Sequence, residues 1–274
     1  MRLTVRHKTH YRYDAPLANA MQQIRLTPKT GPAQTVIDWK IDAPGMDRAT
    51  AYEDAFGNLV HMVSAHGMSE EVEITASGTV DTFDVNGVIG FENGTSSPPR
   101  IFTRFTPQTK ANQAIRRLAA AAEKDDLISG LHELMHSIRD KVDYKVGVTE
   151  THATAVSALA NGEGVCQDHA HIFIAACRSI DVPARYISGY LLLEDEQSSE
   201  AHHAWAEAFV PDLGWVGFDI SNAICPTDRY IRLTTGLDSR SAAPIRGIRF
   251  GGQEENMDVE VDVEQATRQQ QQQQ

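Results

Sequence analysis

The stretch NGEGVCQDHAHIFIAACRSIDVPARYISGYLLL, residues 161–193, decides the fold of this chain. It opens on a glycine turn, Asn161-Gly162-Glu163-Gly164. From about Cys166 to Ile180 follows an apolar, alanine-rich segment with no breaker, which predicts a helix. Pro183 stops it, and Ala184–Leu193 then carries the β-branched and aromatic residues of a strand.

On the C-terminal side, strand-like runs recur at His203–Val210, Trp215–Ile220 and Tyr230–Thr234. On the N-terminal side, Ala111–Lys124, Asp126–Val142 and Thr154–Ala160 read as helices rich in Ala, Leu, Arg and Glu. Helices followed by antiparallel strands make an α+β domain. The first hundred residues have a different texture. Alternation at Leu3, Val5, Tyr11 and Tyr13, at Thr35–Ile41 and at Val72–Val80 predicts short strands in an antiparallel β-sandwich. Turn signals at Pro28–Pro32 and Phe56-Gly57-Asn58 separate them. Asn93–Pro99 reads as a linker. The expected organisation is a sandwich over 1–100, a core of helices packed on an antiparallel sheet over 101–268, and a disordered glutamine tail over 269–274.

At 274 residues the chain is long enough for one large core or two modest ones. Its net charge of −12 argues against nucleic acid as a partner, which calls for a basic face. No apolar run resembles a signal peptide or a membrane span, so a cytoplasmic location and no membrane association are expected. Three cysteines, Cys166, Cys177 and Cys225, are too few and odd in number for a disulfide framework.

Cys166 falls at a predicted helix N-terminus, where unpaired amides and the helix dipole favour a thiolate. Those amides also suit an oxyanion. Gly162 and Gly164 let the chain turn sharply and leave room for a substrate backbone. Cys177 lies deeper on roughly the same helical face among apolar residues and reads as core. Cys225, before Pro226, has nothing near it to activate a thiol. A cysteine nucleophile needs an imidazole, and the imidazole needs an orienting carboxylate. His203 opens a strand on which His203, Trp205 and Glu207 share one face while Ala204, Ala206 and Ala208 share the other. His202 competes for the role, because a one-residue slip exchanges the two. Asp219 ends the next strand and is the expected orienter, whereas Asp212 belongs to a hairpin turn. Asp168 reads as a first-turn acid stabilising its helix.

One other motif stands out. His132-Glu133-Leu134-Met135-His136 fits the zinc pattern H-E-x-x-H. No third ligand follows, and Leu127, Leu131, Leu134 and Ile138 explain the helix as an amphipathic one. No metal site is expected there.

The segments Gly164-Val165-Cys166-Gln167-Asp168, His203-Ala204-Trp205-Ala206-Glu207 and Gly214-Trp215-Val216-Gly217-Phe218-Asp219 together resemble the transglutaminase-like superfamily. The resemblance is to its bacterial branch with an N-terminal β domain. His7–Tyr13, Arg25-Leu26-Thr27-Pro28 and Asp54–Asn58 resemble that branch's first module, so the likeness extends over about residues 1–235. Asp219-Ile220-Ser221-Asn222 departs from the usual Asp-Pro-Thr-Asn while keeping the carboxylate. The resemblance implies a papain-like or transglutaminase-like core and a triad of Cys166, His203 and Asp219 acting on a peptide or protein amide through a thioester. It implies either hydrolysis or amine transfer, with the Cys166 amide as first oxyanion donor and Tyr144 as a weaker second candidate. Gly164 and Trp205 would line the groove. No calcium loop is present and no cofactor is expected. Three alternatives stay open: an acyltransferase using a small thioester, a non-catalytic peptide-binding module on the same fold, and the zinc enzyme.

Overall fold

The structure is a computed structural model that describes residues 1–68, 70–92, 97–122, 126–147, 153–193, 201–250 and 255–266. The glutamine tail, much of the expected linker at 93–99 and residues 194–200 lie outside the described residues. The first strands are β1 (Arg2–Tyr13), β2 (Leu17–Thr27), β3 (Gln34–Asp42), β4 (Thr50–Glu53), β5 (Leu59–Met68), β6 (Glu71–Thr82) and β7 (Val88–Gly90). There follow α1 (Gln113–Ala119), α2 (Leu127–Arg139), β8 (Asp143–Tyr144), α3 (Ala155–Asn161), β9 (Glu163–Gly164) and α4 (Cys166–Ser179). The chain continues with β10 (Ala184–Leu191), β11 (His202–Val210), β12 (Gly214–Phe218), β13 (Tyr230–Gly236), β14 (Ile245–Phe250) and β15 (Glu255–Gln265). Among the described residues no helix is long and apolar enough to cross a membrane.

The expected α+β architecture is present. Two four-stranded sheets, ordered β15-β1-β6-β3 and β14-β2-β5-β4, share one apolar core drawn from Leu3, Val5, Leu17, Ile24, Val63, Ile74 and Val80. They form the sandwich. A five-stranded antiparallel sheet, β13-β10-β11-β12-β7, carries the helices on one face.

Strand pairing crosses the boundary drawn at residue 100. β7, before residue 100, pairs with β12, while β14 and β15 return to β2 and β1. Charge explains the return of β15. On β1 the inward positions Leu3, Val5, His7, Thr9, Tyr11 and Tyr13 are buried, so Arg6, Lys8, His10 and Arg12 point outward. Their cross-strand neighbours on β15 are Asp262, Glu260, Asp258 and Asn256. Opposite charges facing across a ladder stabilise one register.

The quoted stretch folds as read. The backbone amide of Val165 donates to Asp168 Oδ2 at 2.9 Å, capping α4 at its start. At its end Asp181 adopts a left-handed φ of 58°, and the Val182 amide reaches back to the Cys177 carbonyl at 3.0 Å. Phe173, Ile174, Ala175 and Cys177 are fully buried between α1, α2 and α3 on one side and the sheet on the other. Burying Phe173 alone contributes roughly 1.5–3 kcal/mol. Ala204, Ala206 and Ala208 of β11 face α4, and their small side chains let the helix lie close. Arg178 is buried too. Its guanidinium donates to the carbonyls of Phe102, Ala184 and Leu237 and to Thr109 Oγ1, tying the end of α4 to its surroundings.

The sandwich docks on β13 and β10. His7, buried beneath β1, is hydrogen-bonded to Tyr190 at 2.9 Å and to Thr9 at 3.1 Å. The Gln34 amide donates to the Arg232 carbonyl at 2.9 Å and accepts from the Arg232 amide at 2.7 Å. Asn58 makes the same two-point pairing with Thr235, both bonds at 2.8 Å. Asn58 is itself held by Asp54, which also anchors Arg25.

Candidate active site

Three elements converge at one end of the five-stranded sheet. α4 brings Cys166 at its first position, half-buried. β11 brings His203, and the residue after β12 is Asp219. His203 Nε2 lies 2.7 Å from Asp219 Oδ2 and donates to it. Cys166 is near enough to the imidazole to act on its charge. With Nε2 taken by the carboxylate, Nδ1 is the nitrogen left for a second partner.

The pair is almost fully removed from water: Asp219 is 0% exposed and His203 is 6% exposed. Burial alone would push the His203 pKa down. The Asp219 charge and hydrogen bond outweigh burial, and negative charge on the Cys166 sulfur adds to them, so the imidazole pKa is raised. Burial would raise the Asp219 pKa, but the charge and bond of His203 with the donors Tyr230 and Asn222 hold it below the usual range. Five bonds meet on this carboxylate. Oδ2 accepts from His203, Tyr230 Oη and Asn222 Nδ2, each at 2.7 Å, while Oδ1 accepts from the amides of Ser221 at 3.1 Å and Asn222 at 3.4 Å. The Asp-Ile-Ser-Asn turn is thus built around the carboxylate. Its Ser221 hydroxyl is bonded to His169 at 2.9 Å.

His202 points to the other side of β11, where its Nε2 meets Ser188 Oγ at 2.9 Å. Trp205 stacks beside His203, with centroids 6.4 Å apart. Gly189 on β10 makes this possible, because a Cβ there would sit 2.6 Å from the Trp205 ring. Gly164 differs from the expectation. The space beside it is filled by Asp168, whose Cβ would lie 2.8 Å from a side chain at 164. The glycine serves the helix cap rather than leaving a space for substrate. Tyr144 pairs with Gly164 across β8 and β9 and stacks on His169 at 6.3 Å. The described hydrogen bonds leave the Cys166 and Gln167 amides open at the start of α4.

The other candidates fall elsewhere. Cys177 is wholly buried, and burial pushes its thiol pKa far up. Burial also raises that of Cys225. Asp212 sits in the exposed turn between β11 and β12 with φ 68°. His132 packs on Phe218 at 5.3 Å, while His136 is exposed. Among the described residues no group of three or more His, Cys, Asp and Glu converges as a metal would require. Sequence reasoning missed Tyr230 and Asn222. Asn222 stood in a quoted segment, but Tyr230 opens its strand in a context with no distinguishing pattern.

The profile of the transglutaminase-like superfamily matches residues 113–220, and that of the bacterial transglutaminase-like N-terminal region matches residues 3–81. An uncharacterized protein of Mycobacterium leprae is 30% identical over 96% of this chain and 98% of its own length. An uncharacterized protein of Mycobacterium tuberculosis is 29% identical over 96% of this chain and 92% of its own. The fold is shared with a crystal structure from Cytophaga hutchinsonii described as a candidate cysteine protease, at a TM-score of 0.74 and 20% identity. That match covers 97% of this chain and 92% of the other.

Proposed function

The chain belongs to the transglutaminase-like superfamily, and from that membership we propose that it is a cysteine-dependent amide hydrolase or transamidase using Cys166, His203 and Asp219. The observation that supports this reading best is the setting of one ring. His203 Nε2 is bonded to Asp219 at 2.7 Å, and Nδ1 is left for the thiol of Cys166.

The chemistry then runs in two halves. His203 Nδ1 takes the thiol proton, and the Cys166 sulfur adds to the carbonyl carbon of a peptide or protein amide. Charge on the carbonyl oxygen is met by the open Cys166 amide, with the Tyr144 hydroxyl as candidate second donor. The C–N bond breaks, His203 returns the proton to the leaving amine, and a thioester remains. Water, or a second amine, gives its proton to His203 and attacks that thioester. The product is a carboxylate or a new amide, and the thiol is released. Asp219 keeps its charge throughout and stabilises the imidazolium. No step draws on a metal or cofactor. We place this chemistry in the cytoplasm, where a reducing environment keeps the three free cysteines as thiols.

The test is incubation with a peptide library and a labelled primary amine, comparing wild type with Cys166→Ala. Incorporation of label that depends on Cys166 indicates a transamidase, and cleavage without label indicates a hydrolase. Neither activity in wild type would refute the enzymatic reading and favour a peptide-binding module.

A further inference from the structure

Asp219 does not hold His203 alone. Tyr230, at the start of β13, is 5% exposed and donates its hydroxyl to Asp219 Oδ2 at 2.7 Å, the oxygen that His203 also uses. Its ring tilts against the imidazole with centroids 6.1 Å apart and meets Trp205 edge-to-face at 5.5 Å. Trp205 in turn stacks on His203. The ring limits how the imidazole can turn, and the hydroxyl takes a share of the carboxylate's charge.

Charge drawn toward Tyr230 is not available to an imidazolium on the same oxygen. We propose that Tyr230 is a positioning residue that sets how firmly Asp219 holds a protonated His203, and with it the upper pH limit of a nucleophilic Cys166. This rests on the triad reading above. The phenol keeps its proton throughout, since burial and the nearby carboxylate push its pKa far above the ordinary value. Other titratable or charged groups act on the trio or on the side chains packed around it. They are Asp168 and His169 from α4, Arg139 from α2, Tyr186 from β10, His202 from β11 and Arg229 beside Tyr230. Tyr230 differs from these in donating directly to Asp219.

The experiment needs no substrate. Alkylation of Cys166 by iodoacetate is followed against pH by mass spectrometry of the Cys166 peptide. An anionic reagent reacts fastest with a thiolate beside an imidazolium, so the rate rises as the pair forms and falls as His203 loses its proton. Tyr230→Phe keeps the ring and removes the hydroxyl. Its falling limb should move to higher pH by about one unit, with a smaller change in the rising limb. Replacing Tyr230 by 3-fluorotyrosine strengthens the donor at nearly constant shape and should move the falling limb to lower pH; this variant decides the matter if Tyr230→Phe does not fold. A falling limb unmoved by either change overturns the proposal. A wild-type profile with a single rise, like that of an ordinary thiol, would overturn the triad reading first and this inference with it.

Discussion

Two buried charge assemblies occupy one face of β11, with Trp205 between them. Toward the C-terminal end of the strand, Glu207 accepts from Arg185 Nε at 2.6 Å and from Arg232 Nε at 3.0 Å. Arg185 also grips Glu92 with bonds of 2.8 and 3.0 Å and lies 3.8 Å over the Trp215 ring. Arg232 closes the ring to Glu92 at 3.5 Å. Two acids face two bases whose charges are permanent near neutrality. At the other end stands one acid with one imidazole, a group that can give up and take back a proton. The quartet fixes how β7, β10, β11 and β13 meet. The pair at Asp219 has a proton to move, and that difference divides the face into a brace and a site of chemistry.

The largest effect that would sharpen this contrast is Asp219→Asn. The amide cannot stabilise an imidazolium, and Cys166-dependent turnover should fall by about 10⁴-fold. A loss below tenfold in a steady-state assay would break the comparison. Glu207→Ala should do the reverse. It leaves the buried Arg185 and the partly buried Arg232 sharing Glu92, and urea unfolding should show a loss of about 2–4 kcal/mol. The iodoacetate reactivity of Cys166 in the folded variant should stay within a few-fold of wild type. Asn58→Ala removes the pairing with Thr235 and should cost about 1–3 kcal/mol in the same measurement.

The smallest effect is the slope of stability with pH, at most about 1.4 kcal/mol per unit for each proton. Burial would raise the Glu92 pKa, but Arg232 and Arg185 bring it down from 4.5 to about 2. Its contribution is complete above 4.5 and is lost as pH falls toward 2. The His203 pKa is raised, so its contribution is complete below 6.5 and is lost as pH climbs through the raised value. Urea midpoints against pH should therefore decline on the acid side through the quartet and on the alkaline side through the site. Glu92→Gln should flatten the acid decline alone.

The site was legible where one local rule governed it. A breaker-free apolar run between a glycine turn and Pro183 could only be a helix, and strand alternation put His203 and Trp205 on one face. Residues that depend on partners far along the chain were not legible. Nothing beside Tyr230 announces that its hydroxyl reaches a carboxylate on another strand. Gly164 looked like room for substrate because its true neighbour, Asp168, closes on it only once the helix cap has formed. The boundary near residue 100 followed a change of local texture. The pairing of β15 with β1 depends on a charge ladder that exists only after both strands are in register. β2 was passed over because Asn19, Gln22 and Gln23 interrupt its alternation.

The amide side chains of Gln34 and Asn58 are, chemically, short pieces of peptide bond. Each answers both backbone groups of one residue on β13, the outermost strand of its sheet. They behave as a strand that can be neither extended nor displaced by a passing segment. An outermost strand left bare is a template on which unfolded or neighbouring chains add themselves, and these two side chains occupy that template. A core cut free of the first hundred residues would thus lose its guard against self-assembly, and should collect in the insoluble fraction even with every group around Cys166 intact.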